Sequence, residues 1–133
     1  MRRILLVSQK TSGPDPRKHL LESAGYTVTV VHDSAKALDA IADVPPHLLI
    51  LDILIDGRNG FEVCRQVRGL LPATHLPVIL CSDVYRSSVF RREAAEVGAQ
   101  IYLLTPIDTD ELLKHVQELA HKASATTTVK TED

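Results

Sequence analysis

Residues 48–63 read Leu48-Leu49-Ile50-Leu51-Asp52-Ile53-Leu54-Ile55-Asp56-Gly57-Arg58-Asn59-Gly60-Phe61-Glu62-Val63, and the way this stretch divides decides the fold. Leu48 to Leu51 is the most apolar run, with no polar residue alternating through it, so the strand it forms must be covered on both faces. The run stops at Asp52, which places a carboxylate at the carboxyl end of a central strand. Gly57 to Gly60 supplies a turn. Beyond it Phe61, Cys64 and Val67 recur at the spacing of one helical face, and that helix finishes near Gly69.

The same alternation of short apolar run and amphipathic stretch repeats outward in both directions, about every 25 residues, as βα units around a parallel sheet do. Upstream, Ile4 to Val7 is a second doubly covered strand, followed by a loop from Ser8 to Pro16 and a helical face of Leu20, Leu21 and Ala24 closed by Gly25. Tyr26 to Val31 alternates apolar residues with Thr27 and Thr29, the pattern of an edge strand. Asp33 or Ser34 can cap the next helix, whose inner stripe is Ala37, Leu38 and Ile41 and which Pro45-Pro46 stops. Downstream, Pro77 opens a strand from Val78 to Cys81, and Val89, Ala94, Ala95 and Val97 form one side of a fourth helix. Ile101 to Leu104 is the fifth strand, and Leu112, Val116 and Leu119 face inward from a helix over Asp108 to Ala120. The reading is one α/β domain over residues 1–122, then a disordered tail or linker over 123–133, where Ser, Thr and Lys leave little to bury.

Composition narrows the function. With 133 residues, 15 basic and 17 acidic side chains and a net charge of -2, bulk attraction to nucleic-acid phosphates is not expected, and five aromatics offer little base stacking. The apolar runs fall far short of the roughly 20 residues that span a bilayer. Met1-Arg2-Arg3 leads directly into the first strand without a secretory h-region, so a cytoplasmic location is expected. Cys64 and Cys81 sit in apolar stretches and read as buried thiols. The six histidines show no metal-ligand spacing and read as surface residues.

In open parallel sheets ligands bind beyond the carboxyl ends of the strands. The residues there are Ser8 and Gln9, Asp52, Ser82 and Asp83, and Thr105. The segment from Leu48 to Val63, with Leu76-Pro77-Val78-Ile79-Leu80-Cys81-Ser82 and with Gly98-Ala99 followed by Tyr102-Leu103-Leu104-Thr105-Pro106, resembles the receiver domain of two-component response regulators. The 30 residues from Asp52 to Ser82 match the family's spacing, and the likeness runs from Arg3 to about His121. It implies a flavodoxin-like (βα)5 fold with strand order 2-1-3-4-5, Asp52 as phosphoacceptor, Ser82 and Tyr102 as switch residues, and a cis Thr105-Pro106 bond. It also implies a partner-docking face on the fourth helix, fifth strand and fifth helix that would include Arg91, Tyr102 and His115.

The pattern departs from the family at Ser8 and Gln9, where two acidic residues are usual, and at Thr105, where a lysine is usual. Mg²⁺ prefers hard anionic oxygens, and Ser8 and Gln9 offer neutral ones. Each absent carboxylate removes a contact worth on the order of 4 kcal/mol to a unit charge at about 4 Å, for an effective dielectric near 20. No cofactor is therefore expected, with Mg²⁺ at most weakly held; if a metal binds, the resemblance places it on Asp52 and the Leu54 backbone. Asp52 is then expected to be satisfied internally by hydrogen bonds from Ser8, Ser82 or Thr105. Lys10 is a candidate substitute cation, and Asp83 either repels a phosphoryl donor, the favoured reading, or replaces a missing acid. Arg86, Arg91 and Arg92 read as a solvated helix face.

The functional expectation is a degenerate, non-enzymatic receiver acting as a protein-protein interaction module, with a histidine kinase or a downstream regulator or output domain as partner. It is read as the N-terminal part of a longer regulator. The alternative is a working phosphoacceptor with Asp52 phosphorylated by a histidine kinase. A third class is a small-molecule or nucleotide site at the same strand ends.

Overall fold

The computed structural model describes residues 2–132 apart from Thr11 and Asp56, with side chains described as far as His121. Its elements are β1 (Arg3–Val7), α1 (Pro16–Ser23), β2 (Thr27–Val31), α2 (Ser34–Asp43), β3 (Leu48–Asp52), β4 (Leu54–Ile55), β5 (Arg58–Asn59), α3 (Gly60–Leu70), β6 (Val78–Ser82), α4 (Ser88–Glu96), β7 (Ile101–Leu104) and α5 (Thr109–Glu132). Five strands pair in parallel in the order β2-β1-β3-β6-β7, the doubly wound order expected once β4 and β5 are set aside as a separate hairpin. The expected tail over 123–133 falls where side chains lie outside the described residues; the helical element itself is assigned to Glu132.

Strand alternation divides the core into two layers. Leu5, Val7, Leu49, Leu51, Val78 and Leu80 face the α2, α3 and α4 side, where Phe61, Cys64 and Val67 meet them. Ile4, Leu6, Leu48, Ile50, Ile79 and Cys81 face the other side and pack on Leu21, Leu112 and Val116. Every residue of β3 and β6 is buried, which is why those two runs carry no polar alternation. Cys64 and Cys81 are both buried and free, one in each layer.

Several helix signals act as the sequence predicts. Asp33 caps α2 through a bond from the Lys36 N–H, and Gly25 takes the positive φ that ends α1, while the Asn59 cap of α3 goes beyond the sequence reading. In α4 the expected stripe is half right. Ala94 and Val97 are buried, but Val89 is 58% exposed and Ala95 also faces solvent. Phe90 turns inward in place of Val89, because its ring stacks on Tyr85 at 4.6 Å and on Phe61 at 6.4 Å.

At the amino ends of the strands, Arg68 of α3 donates to the carbonyls of Gly98, Leu71 and Leu76 and to the Gln100 side chain. Cys64 Sγ donates to the Val97 carbonyl beside it. The end of α4 is thus tied to α3 by two side chains.

Gly60 fixes the approach of α3 to the end of β3: a Cβ there would lie 2.7 Å from the Asp52 carbonyl oxygen and 2.8 Å from the Ile53 Cα, both backbone atoms that cannot yield cheaply. Gly60→Ala is expected to lower unfolding free energy by about 1–3 kcal/mol in urea titration. Gly69→Ala, where no atom lies within 4 Å of the added methyl, is expected to raise it by about 0.5–1 kcal/mol. Equal effects at the two positions would contradict the packing.

Candidate functional site

The carboxyl ends of β1, β3, β6 and β7 gather Ser8 and Gln9, Asp52, Ser82 and Asp83, and Thr105 at one rim of the sheet, as their register requires. Asp52 and Cys81 are register partners on neighbouring strands, so Ser82 follows one residue beyond the Asp52 level. The rim opens into a cavity of about 340 Å³ whose walls include Leu20, Ile107 and Leu112 beside Asp52, Ser82 and Thr105. A small ligand of the third expected class would sit there.

The side chain that organises this rim comes from α1. Asp15 is the N-cap and Pro16 the first helical residue, which sets Arg17 in the first turn directed at the end of β3. Arg17 Nη1 donates to Asp52 Oδ1 at 2.7 Å and Nη2 to Asp52 Oδ2 at 2.9 Å. The other edge of the guanidinium reaches Asp15, with Nε 3.0 Å from Oδ1 and Nη2 2.7 Å from Oδ2. Two bidentate contacts therefore meet on one planar fork, a geometry that a lysine cannot reproduce.

The remaining bonds complete the carboxylates. Asp52 Oδ2 accepts from the Gln9 backbone N–H at 2.9 Å. Asp15 Oδ1 accepts from the Arg17 backbone N–H, and Oδ2 from Ser8 Oγ at 2.6 Å. All four carboxylate oxygens are occupied. The side chains of Arg17, Asp15 and Asp52 are 16%, 3% and 9% exposed, so these charges are removed from most of the solvent.

Burial alone would raise the Asp15 carboxyl, but the bonds from Arg17 and Ser8 outweigh it and hold the group well below the usual carboxylate range. Burial likewise works against the charge on Arg17, and its bonds to Asp15 and Asp52 reverse the effect and raise it. Burial in the sheet pushes the Cys81 thiol up to about 12, which keeps it an inert core group.

The expected partners of Asp52 are corrected by this geometry. Ser8 donates to Asp15, not Asp52. Ser82 Oγ accepts from the Val84 and Tyr85 N–H groups and shapes its own loop. Thr105 offers its carbonyl to Arg86. Lys10 is exposed, and the cation beside Asp52 is Arg17. Asp83 is exposed on the cavity wall. Gln9 contributes its backbone while its side chain is exposed.

Tyr102 is buried, and its hydroxyl donates to the Tyr85 carbonyl, drawing the loop after β6 onto β7. Its ring belongs to the stack with Phe61, and Arg91 lies 5.9 Å above it while donating to the Tyr102 carbonyl. Arg91, Tyr102 and His115 line one surface groove, so the expected docking residues do come together. Arg86, Arg91 and Arg92 are all exposed, as expected, while Arg86 also donates to the Thr105 carbonyl and Arg91 to the Tyr102 carbonyl. The Thr105-Pro106 bond is cis, as expected.

The family's Mg²⁺ does not fit this donor set. No group of three His, Cys, Asp or Glu side chains able to hold a metal exists among the described residues, and the guanidinium fills the space between the two carboxylates. Nor is any helix among the described residues long and apolar enough to cross a membrane.

A parallel sheet in this order, with an aspartate ending its middle strand, a hydroxyl ending the next and an aromatic on the last, defines a receiver. The chain belongs to the response regulator receiver domain family, whose model matches residues 4–117. Among individual relatives, it is 36% identical over 121 residues to the response regulator MprA of Mycobacterium tuberculosis and 35% identical to that of Mycobacterium avium. Those alignments take in 90% of this chain but 51% of the relatives, so the chain spans about half their length. The Vibrio cholerae chemotaxis protein CheY4 superposes with a TM-score of 0.79 at 27% identity, over 90% of this chain and 98% of that one. A CheY-like receiver domain protein from Methanospirillum hungatei shares the fold with a TM-score of 0.83 at 24% identity, over 94% and 98%.

A depressed folded pKa stabilises the fold above the carboxyl's unfolded value and is lost as pH falls toward the folded one. Because Asp15 is depressed from 3.8, urea stability is expected to hold above about pH 5 and to fall steeply below pH 4. Asp15→Asn keeps a helix cap, is expected to cost about 1–3 kcal/mol at pH 7, and flattens that acid limb. An unchanged acid limb in the variant would remove Asp15 from this role.

Proposed function

We propose that this domain is a degenerate receiver that serves two-component signalling as a protein-protein interaction module and catalyses no reaction of its own. The observation that carries the reading is the saturation of Asp52: both oxygens are engaged by Arg17, and one also by the Gln9 N–H. To attack a phosphorus atom, Asp52 must give up a charge-assisted bond to a mostly buried cation. Ser8, Gln9 and Thr105 supply none of the charge that phosphoryl transfer normally requires beside the acceptor.

The surface with the chemistry to bind a partner is the groove of Arg91, Tyr102 and His115 on α4, β7 and α5. A histidine kinase, or a downstream regulator or output domain, is the partner class. Neither a nucleic acid nor a membrane is read as a direct partner, and a cytoplasmic location suits that role. The relatives' greater length agrees with an origin in a longer regulator.

One observation favours the alternative of a working phosphoacceptor. Arg17 is itself a cation at the acceptor carboxylate and, once released, could neutralise an incoming phosphoryl group. Incubation with Mg²⁺ and acetyl phosphate followed by intact mass decides between the two. No gain is expected; a clean addition of one phosphoryl group that disappears in Asp52→Asn would establish the phosphoacceptor instead.

A further inference from the structure

We propose that the Arg17 guanidinium is the resident cation of this pocket, seated between Asp15 and Asp52 where a divalent ion would otherwise be required, so that the charge of the Asp52 carboxylate is compensated without metal. The inference deepens the degenerate-receiver reading and rests on it, but it concerns charge compensation, not phosphorylation.

Arg17 makes bidentate contact with each carboxylate, and its Nη2 is shared between them. A divalent ion approaching Asp52 must therefore displace the guanidinium from both oxygens. Directly after β1, Ser8 and Gln9 offer it neutral oxygens, and the Ser8 hydroxyl already serves Asp15.

The placement also runs against local electrostatics. A cation in the first turn of a helix opposes the positive end of the helix dipole, and no acidic residue lies in that turn of α1. What holds Arg17 there is the pair of carboxylates. The Asp15 cap and Pro16 fix its backbone before the contact forms, so little freedom is lost in making it.

Removing the guanidinium leaves two carboxylates facing one another across the space it filled. Such a pair attracts a hard divalent ion. The test is thermal unfolding of the whole chain with Mn²⁺ or Mg²⁺ against EDTA. The Tm of the natural sequence is expected not to move. Arg17→Gln is expected to melt lower in EDTA and to regain on the order of 4 °C at Mn²⁺ about tenfold above its dissociation constant. Adding Asp15→Asn to that variant is expected to abolish the gain.

A metal-dependent Tm in the natural sequence that is lost in Asp52→Asn would overturn the proposal, and so would an Arg17→Gln protein indifferent to Mn²⁺. Should Arg17→Gln fail to fold, NMR of the natural sequence decides. The Arg17 Nε–H signal is expected to be protected from exchange and unmoved by Mg²⁺, and loss of protection on adding Mg²⁺ would refute the resident cation. A phosphoryl gain in the mass experiment with a metal-indifferent Tm would sink the interaction-module reading and leave this one standing.

Discussion

A carboxylate at the end of a strand covered on both faces cannot be left to water, and the rest of the pocket is arranged around that constraint. Asp52 is held there by the burial of β3, and its charge demands a partner within hydrogen-bond reach. Arg17 meets the demand, but a mostly buried guanidinium needs anions of its own, and Asp15 supplies the second. The helix cap, the loop after β1 and the end of the central strand are consequently one charge network, not three local features. Breaking such a network by removing one member is costly, because the charges left behind remain buried.

Most of the architecture is legible in the sequence because it rests on short-range patterns. Continuous apolar runs report doubly covered strands, Pro45-Pro46 and Pro77 mark boundaries, and Gly25 marks a helix end. The positions of Asp52, Ser82 and Thr105 follow from strand ends, and that of Tyr102 from the family resemblance. The β4–β5 hairpin is not foreseen, since two-residue strands carry no periodicity. Val89 misleads for a related reason: hydropathy favours it over no neighbour, whereas aromatic stacking selects Phe90.

Arg17 and Asp15 escape the sequence reading because the Arg17–Asp52 contact that joins them to the strand end links residues 35 positions apart, and no local rule specifies it. Two signals were present. Asp15-Pro16 is a helix start, and a basic residue directly after it stands at the wrong end of the helix dipole. A charge placed against its local field needs a distant partner, and the strand-end carboxylate was the nearest group in want of one.

The far end of the sheet bears on how such a domain can move. Arg68 ties α3 to the carbonyls of Gly98 and Leu76, and Cys64 reaches the carbonyl of Val97, so the last turn of α4 is anchored to its neighbour. The first turn of α4 follows the loop shaped by Ser82 and Tyr85, at the pocket end, and meets α3 through the stacking of Phe90 on Phe61. Helix α4 is therefore held by hydrogen bonds at its Gly98 end and by ring packing at its pocket end. Hydrogen bonds fix a position more narrowly than ring packing does, so a displacement of the loop beside Asp52 would be taken up at Ser88 and Val89 before it reached Gly98.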